Sequence, residues 1–133
     1  MKKQAKSWLE AAYDDILVIE NIKSIAHLTH MVSFHAQQSI EKSFKSVLEE
    51  NDEIVPKTHN LIVLMQKIEK YINKKIDDSI IAQLNELYIE SRYPADLGLL
   101  PEGKPTINDA ERFYSYALEI YEIASNIENN SSV

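Results

Sequence analysis

Apolar residues recur every three or four positions along most of the chain, and this spacing predicts amphipathic helices throughout. The central stretch, residues 32–49, contains neither Gly nor Pro. Its apolar stripe is formed by Ala36, Ile40, Phe44, Val47 and Leu48. A second face of the stretch carries His35, Gln38, Lys42 and Lys45. Glu41 precedes Lys45 by one turn, which is a favourable spacing for an ion pair. One face is therefore predicted to seal a core, and the other presents hydrogen-bonding groups that solvation alone does not require.

Capping signals set the boundaries of the first two predicted helices. The first helix runs from Ser7 to about Lys23, because Ser7 and Glu10 have the spacing of a capping box, although the helix could also begin one turn earlier. Its buried stripe is Trp8, Ala12, Ile16 and Ile19. The acidic residues of this helix are predicted to lie largely off that stripe: Asp14, Asp15 and Glu20. After a short connection, the second helix begins near Thr29 and ends around residues 50–52.

Prolines and N-cap residues delimit the other three helices. The third helix starts within residues 56–61, with Thr58 as the better N-cap candidate. Residues 77–79 cap the fourth helix, which must stop near Tyr93 because a proline follows it. Residues 94–105 contain both glycines of the chain and form its only long loop. A Thr at position 106 and an Asp at position 109 then start the fifth helix. Its predicted apolar stripe is Ala110, Phe113, Ala117, Ile120, Ala124 and Ile127.

Length and composition favour one domain. The chain has 133 residues, 44% of them apolar, with only two Gly and four Pro, which suits a single helical core. We therefore predict an all-α fold: one up-and-down antiparallel bundle of about five helices. The domain spans residues 1–133, with a core at about 7–128 and a frayed tail at 129–133.

Charge and cysteine content exclude several classes of function. The net charge of −7 argues against broad non-specific binding to nucleic acid. Without cysteine, neither a disulfide nor a thiolate metal site can form. The chain also lacks an apolar run of membrane-spanning length, and no apolar signal core follows the basic N-terminus. These features predict a cytoplasmic protein.

Three polar places exceed what a plain bundle needs. The first is the group of His35, Gln37, Gln38 and Lys42 on the second helix, which could also be a solvated face plus one histidine packed at a helix crossing. The second is the segment with Thr58 and His59, which capping alone could explain. The third follows the fourth helix and contains Arg92, Tyr93 and Asp96. Arg92 could bind a phosphate, but it could also hydrogen-bond to the helix-terminal carbonyls or pair with Asp96. No Gly-rich phosphate loop occurs, and no metal site is expected, because His27 and His30 have no carboxylate ligand nearby in sequence.

The three places together resemble the HEPN domain family, found in prokaryotes and higher eukaryotes. The resemblance rests on three segments in a fixed order, and it covers the chain from about residue 7 to residue 124. The three segments are residues 34–42 (Phe-His-Ala-Gln-Gln-Ser-Ile-Glu-Lys), 58–61 (Thr-His-Asn-Leu) and 91–94 (Ser-Arg-Tyr-Pro). It implies a helical bundle that forms a homodimer. Stand-alone members resemble the partners of minimal nucleotidyltransferases that are encoded beside them, in toxin–antitoxin-like pairs. They also resemble the helical substrate-side domain of aminoglycoside nucleotidyltransferases.

Many other HEPN proteins are metal-independent ribonucleases, and this chain departs from their pattern. That pattern is an Arg followed by four to six residues and a His. All four histidines of this chain precede Arg92, and none follows Arg112. The resemblance therefore implies a binding protein without catalytic residues or a metal. The alternative is a toxin-type ribonuclease with an irregular site, in which His35 or His59 replaces the missing base.

In the binding role, the resemblance implies a nucleotide site, with an ATP-like ligand, or a site for the transferase's substrate. Arg92 and Lys42 would neutralise phosphate, Tyr93 would stack on a base or ribose, and His35 and Gln38 would form hydrogen bonds. His59 and Asp96 complete the candidate set. RNA is a less expected ligand, and no cofactor is expected on this chain alone. A further interpretation is that these motifs only maintain the dimer interface.

Overall fold

A computed structural model describes the backbone of residues 1–91 and 104–131 and the side chains of residues 1–88 and 104–127. Within those ranges the chain forms five α-helices and no strand. The helices are α1 (Lys3–Ile22), α2 (Thr29–Glu50), α3 (Leu61–Ile68), α4 (Asp78–Ser91) and α5 (Ile107–Ser131), with 3₁₀ turns at Ala26–Leu28 and Glu69–Tyr71. The predicted all-α bundle of five helices is confirmed.

Helix α2 is the centre of the bundle and packs against each of the other four helices. Its pairing with α1 is antiparallel and close. The Ser39 hydroxyl donates to the Ala12 carbonyl at 3.0 Å, and the Ser46 hydroxyl donates to the Ala5 carbonyl at 2.9 Å. Small side chains on both helices bring the two backbones together, so serines occupy buried positions that an apolar stripe alone would not reveal.

The core is assembled from the predicted apolar stripes with one exception. Trp8, predicted in the buried stripe of α1, is only partly buried, and Leu9 takes the core position beside it. Phe44 of α2 and Phe113 of α5 are among the largest fully buried side chains. The stripe predicted for α5 is buried at every position: Ala110, Phe113, Ala117, Ile120, Ala124 and Ile127. Helices α1, α2 and α5 thus make one apolar interior, which α3 and α4 extend on the side of α2.

Two predicted N-caps are wrong. Helix α1 begins at Lys3, so Ser7 lies inside it and donates to the Lys3 carbonyl at 3.1 Å instead of capping. Helix α3 begins only at Leu61, and its N-cap is Asn60, whose side-chain oxygen accepts from the N–H groups of Ile62 and Val63. Thr58 instead accepts from the Asn60 N–H at 3.0 Å. Before α3, Thr58 and Asn60 are both capping residue types, and the sequence did not decide between them. Helix α1 instead begins after Lys2 with no side-chain cap.

The caps of the last two helices are confirmed. Asp77 accepts from the Ser79 N–H at 2.9 Å, directly before α4. Thr106 and Asp109 form a reciprocal capping box before α5, with N–H···O distances of 2.8 and 3.0 Å. Helix α5 continues to Ser131, into the tail that the sequence predicts to fray. None of the helices in the described part of the chain combines the length and apolarity that a membrane span needs.

Candidate functional site

The polar face of α2 is held in place by a buried carboxylate from α1. Asp15 accepts a hydrogen bond from His35 Nδ1 at 2.9 Å through Oδ1, and from Lys42 Nζ at 2.8 Å through Oδ2. The Asp15 side chain is buried, whereas His35 and Lys42 are partly exposed. The prediction that Asp15 lies off the buried stripe is therefore wrong. Its position three residues after Ala12 and four before Ile19 places it at the edge of the α1–α2 contact.

A second buried carboxylate, Glu41, organises the other side of the same helix. Its side chain is 5% exposed and forms an ion pair with Lys45 at 2.9 Å, whose side chain is 6% exposed. The predicted Glu41–Lys45 pair is thus confirmed, but it lies in the interior instead of on a solvated face. Glu41 also contacts His59 Nδ1 at 3.0 Å and accepts from Gln37 Nε2 at 3.2 Å. Lys45 lies over the Trp8 ring, 5.5 Å from its centroid.

The segment before α3 is attached to this network by a glutamine. Gln37 is fully buried, and its Nε2 also donates to the His59 carbonyl at 3.0 Å. Gln38 Nε2 donates to Gln37 Oε1 at 2.7 Å. His59 is therefore held both through its ring and through its backbone, while its side chain remains 53% exposed.

A row of aromatic rings connects the first cluster, centred on Asp15, to the second cluster, centred on Glu41. His35 packs edge-on against Phe34 at a centroid distance of 5.2 Å, and Phe34 stacks on Tyr88 of α4 at 6.0 Å. Tyr88 in turn lies 5.6 Å from the His59 ring. The two histidines thus stand at opposite ends of one continuous aromatic surface made by α2, α4 and the segment before α3.

Four of the seven predicted site residues fall in this region. His35 and Lys42 meet on Asp15, His59 meets Glu41, and Gln38 joins the second cluster through Gln37. The three others lie outside the described residues: Arg92, Tyr93 and Asp96. Sequence reasoning missed Asp15 and the buried role of Glu41 as anchors, because an acidic residue on an amphipathic helix is usually assigned to the solvent face.

A separate histidine lies at the start of α2. His30 Nδ1 is buried without a hydrogen-bond partner among the described residues. Burial lowers the pKa of His30, and the neighbouring charges of Lys104 and His27 lower it further. Lys104 is fixed there by donating from Nζ to the His27 carbonyl at 3.0 Å.

This histidine should make the fold sensitive to mild acid. Its folded-state pKa is lower than that of the unfolded chain, so the unfolded chain binds more protons at acid pH. The contribution to stability is full above the unfolded pKa of about 6.5 and is lost as the pH falls below it. We expect His30→Phe to flatten the dependence of unfolding free energy on pH between 7 and 5. Urea titrations at several pH values measure this, and an unchanged slope would contradict it.

Comparison with known proteins agrees with the fold. The family model of the HEPN domain matches residues 3–127, nearly the whole chain. The crystal structure of TT1696 from Thermus thermophilus superposes with a TM-score of 0.76, at 21% sequence identity, covering 95% of this chain and 99% of that one. At that identity the likeness shows a shared fold. No protein of curated function matches the sequence. The extent of the family match identifies this chain as a member of the HEPN domain family.

Proposed function

We propose that this HEPN protein is a binding module that contributes a nucleotide- or substrate-binding face to a separate minimal nucleotidyltransferase, in a toxin–antitoxin-like pair. One observation carries the proposal: two buried carboxylates, Asp15 and Glu41, hold His35, Lys42 and His59 in fixed positions around α2. Polar side chains held in this way are preorganised for a ligand.

Stability alone is a weak reason for this arrangement. Burying an ion pair costs desolvation energy that its attraction only partly offsets, and well-packed apolar residues often serve a core equally well. The Glu41–Lys45 pair is almost completely buried, and it supports His59, which is more than half exposed. A buried charge network that ends in an exposed histidine therefore supports a role in binding more than a role in stabilising the core.

The remaining predicted ligand-binding residues follow α4 in the sequence. Tyr88 of α4 contacts the His59 ring, and Arg92 comes directly after Ser91, the last residue of that helix. In the proposed site Arg92 holds the phosphates, since a guanidinium offers five donors in a planar fork. Tyr93 and Asp96 follow Arg92 in the chain and complete the proposed site. In it, Tyr93 stacks on the base or ribose.

A thermal-shift series tests the nucleotide site. Purified protein is heated with ATP, GTP, CTP, UTP or a short RNA, each with and without Mg²⁺. Binding to the folded state raises the melting temperature by mass action. We expect at least one nucleotide to raise it in wild type and in Arg112→Ala but not in Arg92→Ala. Arg112 is the matched control, because it is the other arginine and pairs with Asp109 and Gln83 at the surface.

The outcomes separate the alternatives. If no ligand shifts the wild-type melting temperature, or if Arg92→Ala itself unfolds the protein, the nucleotide site is wrong. Cleavage of the RNA without metal, together with growth arrest on expression, would favour the ribonuclease alternative. Light scattering tests the proposed homodimer, and co-purification with the nucleotidyltransferase of the adjacent gene tests the proposed partner.

A further inference from the structure

The four histidines of the chain differ in two properties that govern whether an imidazole can act as a nucleophile: contact with a carboxylate and exposure to solvent. His59 has both, since its ring contacts a buried carboxylate and its side chain is 53% exposed. His35 also contacts a carboxylate, but its side chain is only 20% exposed. His27 is exposed, and no carboxylate contacts its ring within the described part of the chain. The same part of the chain offers no hydrogen-bond partner to the buried Nδ1 of His30.

The carboxylate of Glu41 determines how the His59 ring is oriented. His59 Nδ1 lies 3.0 Å from Glu41 Oε1 and 3.2 Å from Oε2. Because Glu41 forms an ion pair with Lys45, its carboxylate can only accept, so the Nδ1 of His59 carries a proton. Nε2 then holds the lone pair whenever the ring is neutral. All hydrogen bonds between this ring and the described residues involve Nδ1, and the exposed part of the side chain is the edge that carries Nε2.

Two neighbours hold the His59–Glu41 pair in place. Gln37 is fully buried, and its Nε2 donates to the His59 carbonyl at 3.0 Å and to Glu41 Oε1 at 3.2 Å. The Tyr88 ring lies 5.6 Å from the His59 ring and limits its rotation. A nucleophile within hydrogen-bond reach of a second group, which a third group orients, is the arrangement that covalent catalysis uses.

The charges around His59 suit a reaction with an anionic electrophile. Lys45 Nζ is 2.9 Å from Glu41 Oε2, and both side chains are almost fully buried. Their charges balance, so the acid does not give the site a net negative charge that would repel an anion. When Nε2 forms a bond to an electrophile, the ring becomes positive. The hydrogen bond from Nδ1 to Glu41 then joins two charged groups and becomes stronger.

We propose that His59 is a phosphoryl acceptor that reacts through Nε2 with a phosphoramidate, a donor in which phosphorus is bonded to nitrogen. The Nε2 lone pair forms the new N–P bond. The N–P bond of the donor breaks, and its electron pair leaves with the donor nitrogen, which departs as ammonia when the donor is phosphoramidate itself. The ring proton stays on Nδ1, against Glu41. One N–P bond replaces another, so the step needs no further co-reactant. This inference goes beyond the proposed function, because it concerns a covalent modification and involves no nucleotide.

Site-resolved labelling tests the proposal. The full chain is treated with potassium phosphoramidate at pH 8, and the phosphorylation rate of each histidine is measured by mass spectrometry under conditions that preserve the N–P bond. We expect His59 to react about tenfold faster than His27, which is about 1.4 kcal/mol and the order of one hydrogen bond to a charged group. In concentrated urea the histidines should react at similar rates. A rate for His27 or His35 in the folded protein equal to that of His59 would overturn the proposal.

A double variant tests whether the carboxylate is responsible. Glu41→Leu/Lys45→Met removes the acid together with its buried partner, so no unpaired charge remains in the interior. His59 should then react no faster than His27. His35→Gln is the matched control: it alters the other histidine–carboxylate pair and should leave the rate of His59 unchanged. If His59 keeps its advantage in the double variant, exposure alone explains the rate and the proposal is wrong.

The position of the ring proton is a second readout that needs no variant. Long-range ¹H–¹⁵N NMR spectra of the wild-type protein at pH 9 should show His59 with its proton on Nδ1. A proton on Nε2 would leave no lone pair there and would overturn the proposal even if the double variant fails to fold. Neither assay contains a nucleotide. Failure of the nucleotide site in the thermal-shift series therefore leaves this inference intact, and failure of the labelling leaves the nucleotide site intact.

Discussion

Replacing Glu41 by Ala should lower the free energy of unfolding by about 3 to 5 kcal/mol, because it leaves a buried lysine charge without its partner. Lys45 is almost fully buried, and Glu41 is the acid with which it pairs. The substitution also removes the acceptor for Gln37 Nε2 and for His59 Nδ1. The contact of Lys45 with the Trp8 ring cannot replace an ionic partner. Urea unfolding followed by circular dichroism gives the value.

A double variant separates the charge from the volume. In Glu41→Leu/Lys45→Met the buried charges are removed together and replaced by apolar groups of similar size. Replacement of a whole buried pair is often neutral or stabilising, so we expect the double variant to recover most of the loss, to within about 1 kcal/mol of wild type. A Glu41→Ala cost of less than about 1 kcal/mol would show that Lys45 reaches water and that the pair is not an interior feature. His59 should lose its fixed position in both variants.

Replacing Phe44 by Ala should also lower the free energy of unfolding by about 3 to 5 kcal/mol, since the change removes a buried ring and leaves a cavity. Phe44 is 1% exposed and lies on the apolar stripe of α2, the helix that contacts all the others. The bundle cannot collapse around this position without shifting the helix that carries the polar face. Denaturant titration gives the loss in stability.

Phe34→Ala is the matched control, because it removes the same ring from the same helix at a partly exposed position. Phe34 packs between His35 and Tyr88, in the aromatic row of the candidate site. We expect it to cost less than half as much stability as Phe44→Ala, since less apolar surface leaves the interior. Equal losses from the two variants would mean that the aromatic row is part of the core and not a surface presented to a ligand.

The two histidine–carboxylate pairs change the interpretation of the α2 motif. Taken as a sequence, the motif places a histidine and a lysine on one helical face and suggests a positively charged site. In the structure Asp15 and Glu41 neutralise the lysines and orient the imidazoles. The same residue types therefore make a face on which both lysines already have a carboxylate partner.

The sequence by itself determined the number and class of the elements. The apolar stripes of α2 and α5 are long, regular and free of breakers, so helical periodicity assigned them correctly and placed Phe44 and Phe113 in the core. The caps at Asp77 and Thr106 were also predictable, because each is the first strong capping residue before a periodic segment. These features depend only on residues close together in the chain, so they can be predicted from the sequence without knowing the tertiary packing.

Only the tertiary structure decided the polar interior. Whether Asp15 faces solvent or α2 depends on the angle at which two helices cross and on the small side chains that set their separation. The same holds for Glu41, whose partners come from α2 itself and from the segment before α3, 18 residues away in sequence. From the sequence alone, a charged residue at the edge of an apolar stripe can face either solvent or a helix interface. The neighbouring helix decides, because it supplies the hydrogen-bond and ionic partners. The physical reason is that burial of a charge is favourable only in a complete network, and such a network is formed by packing.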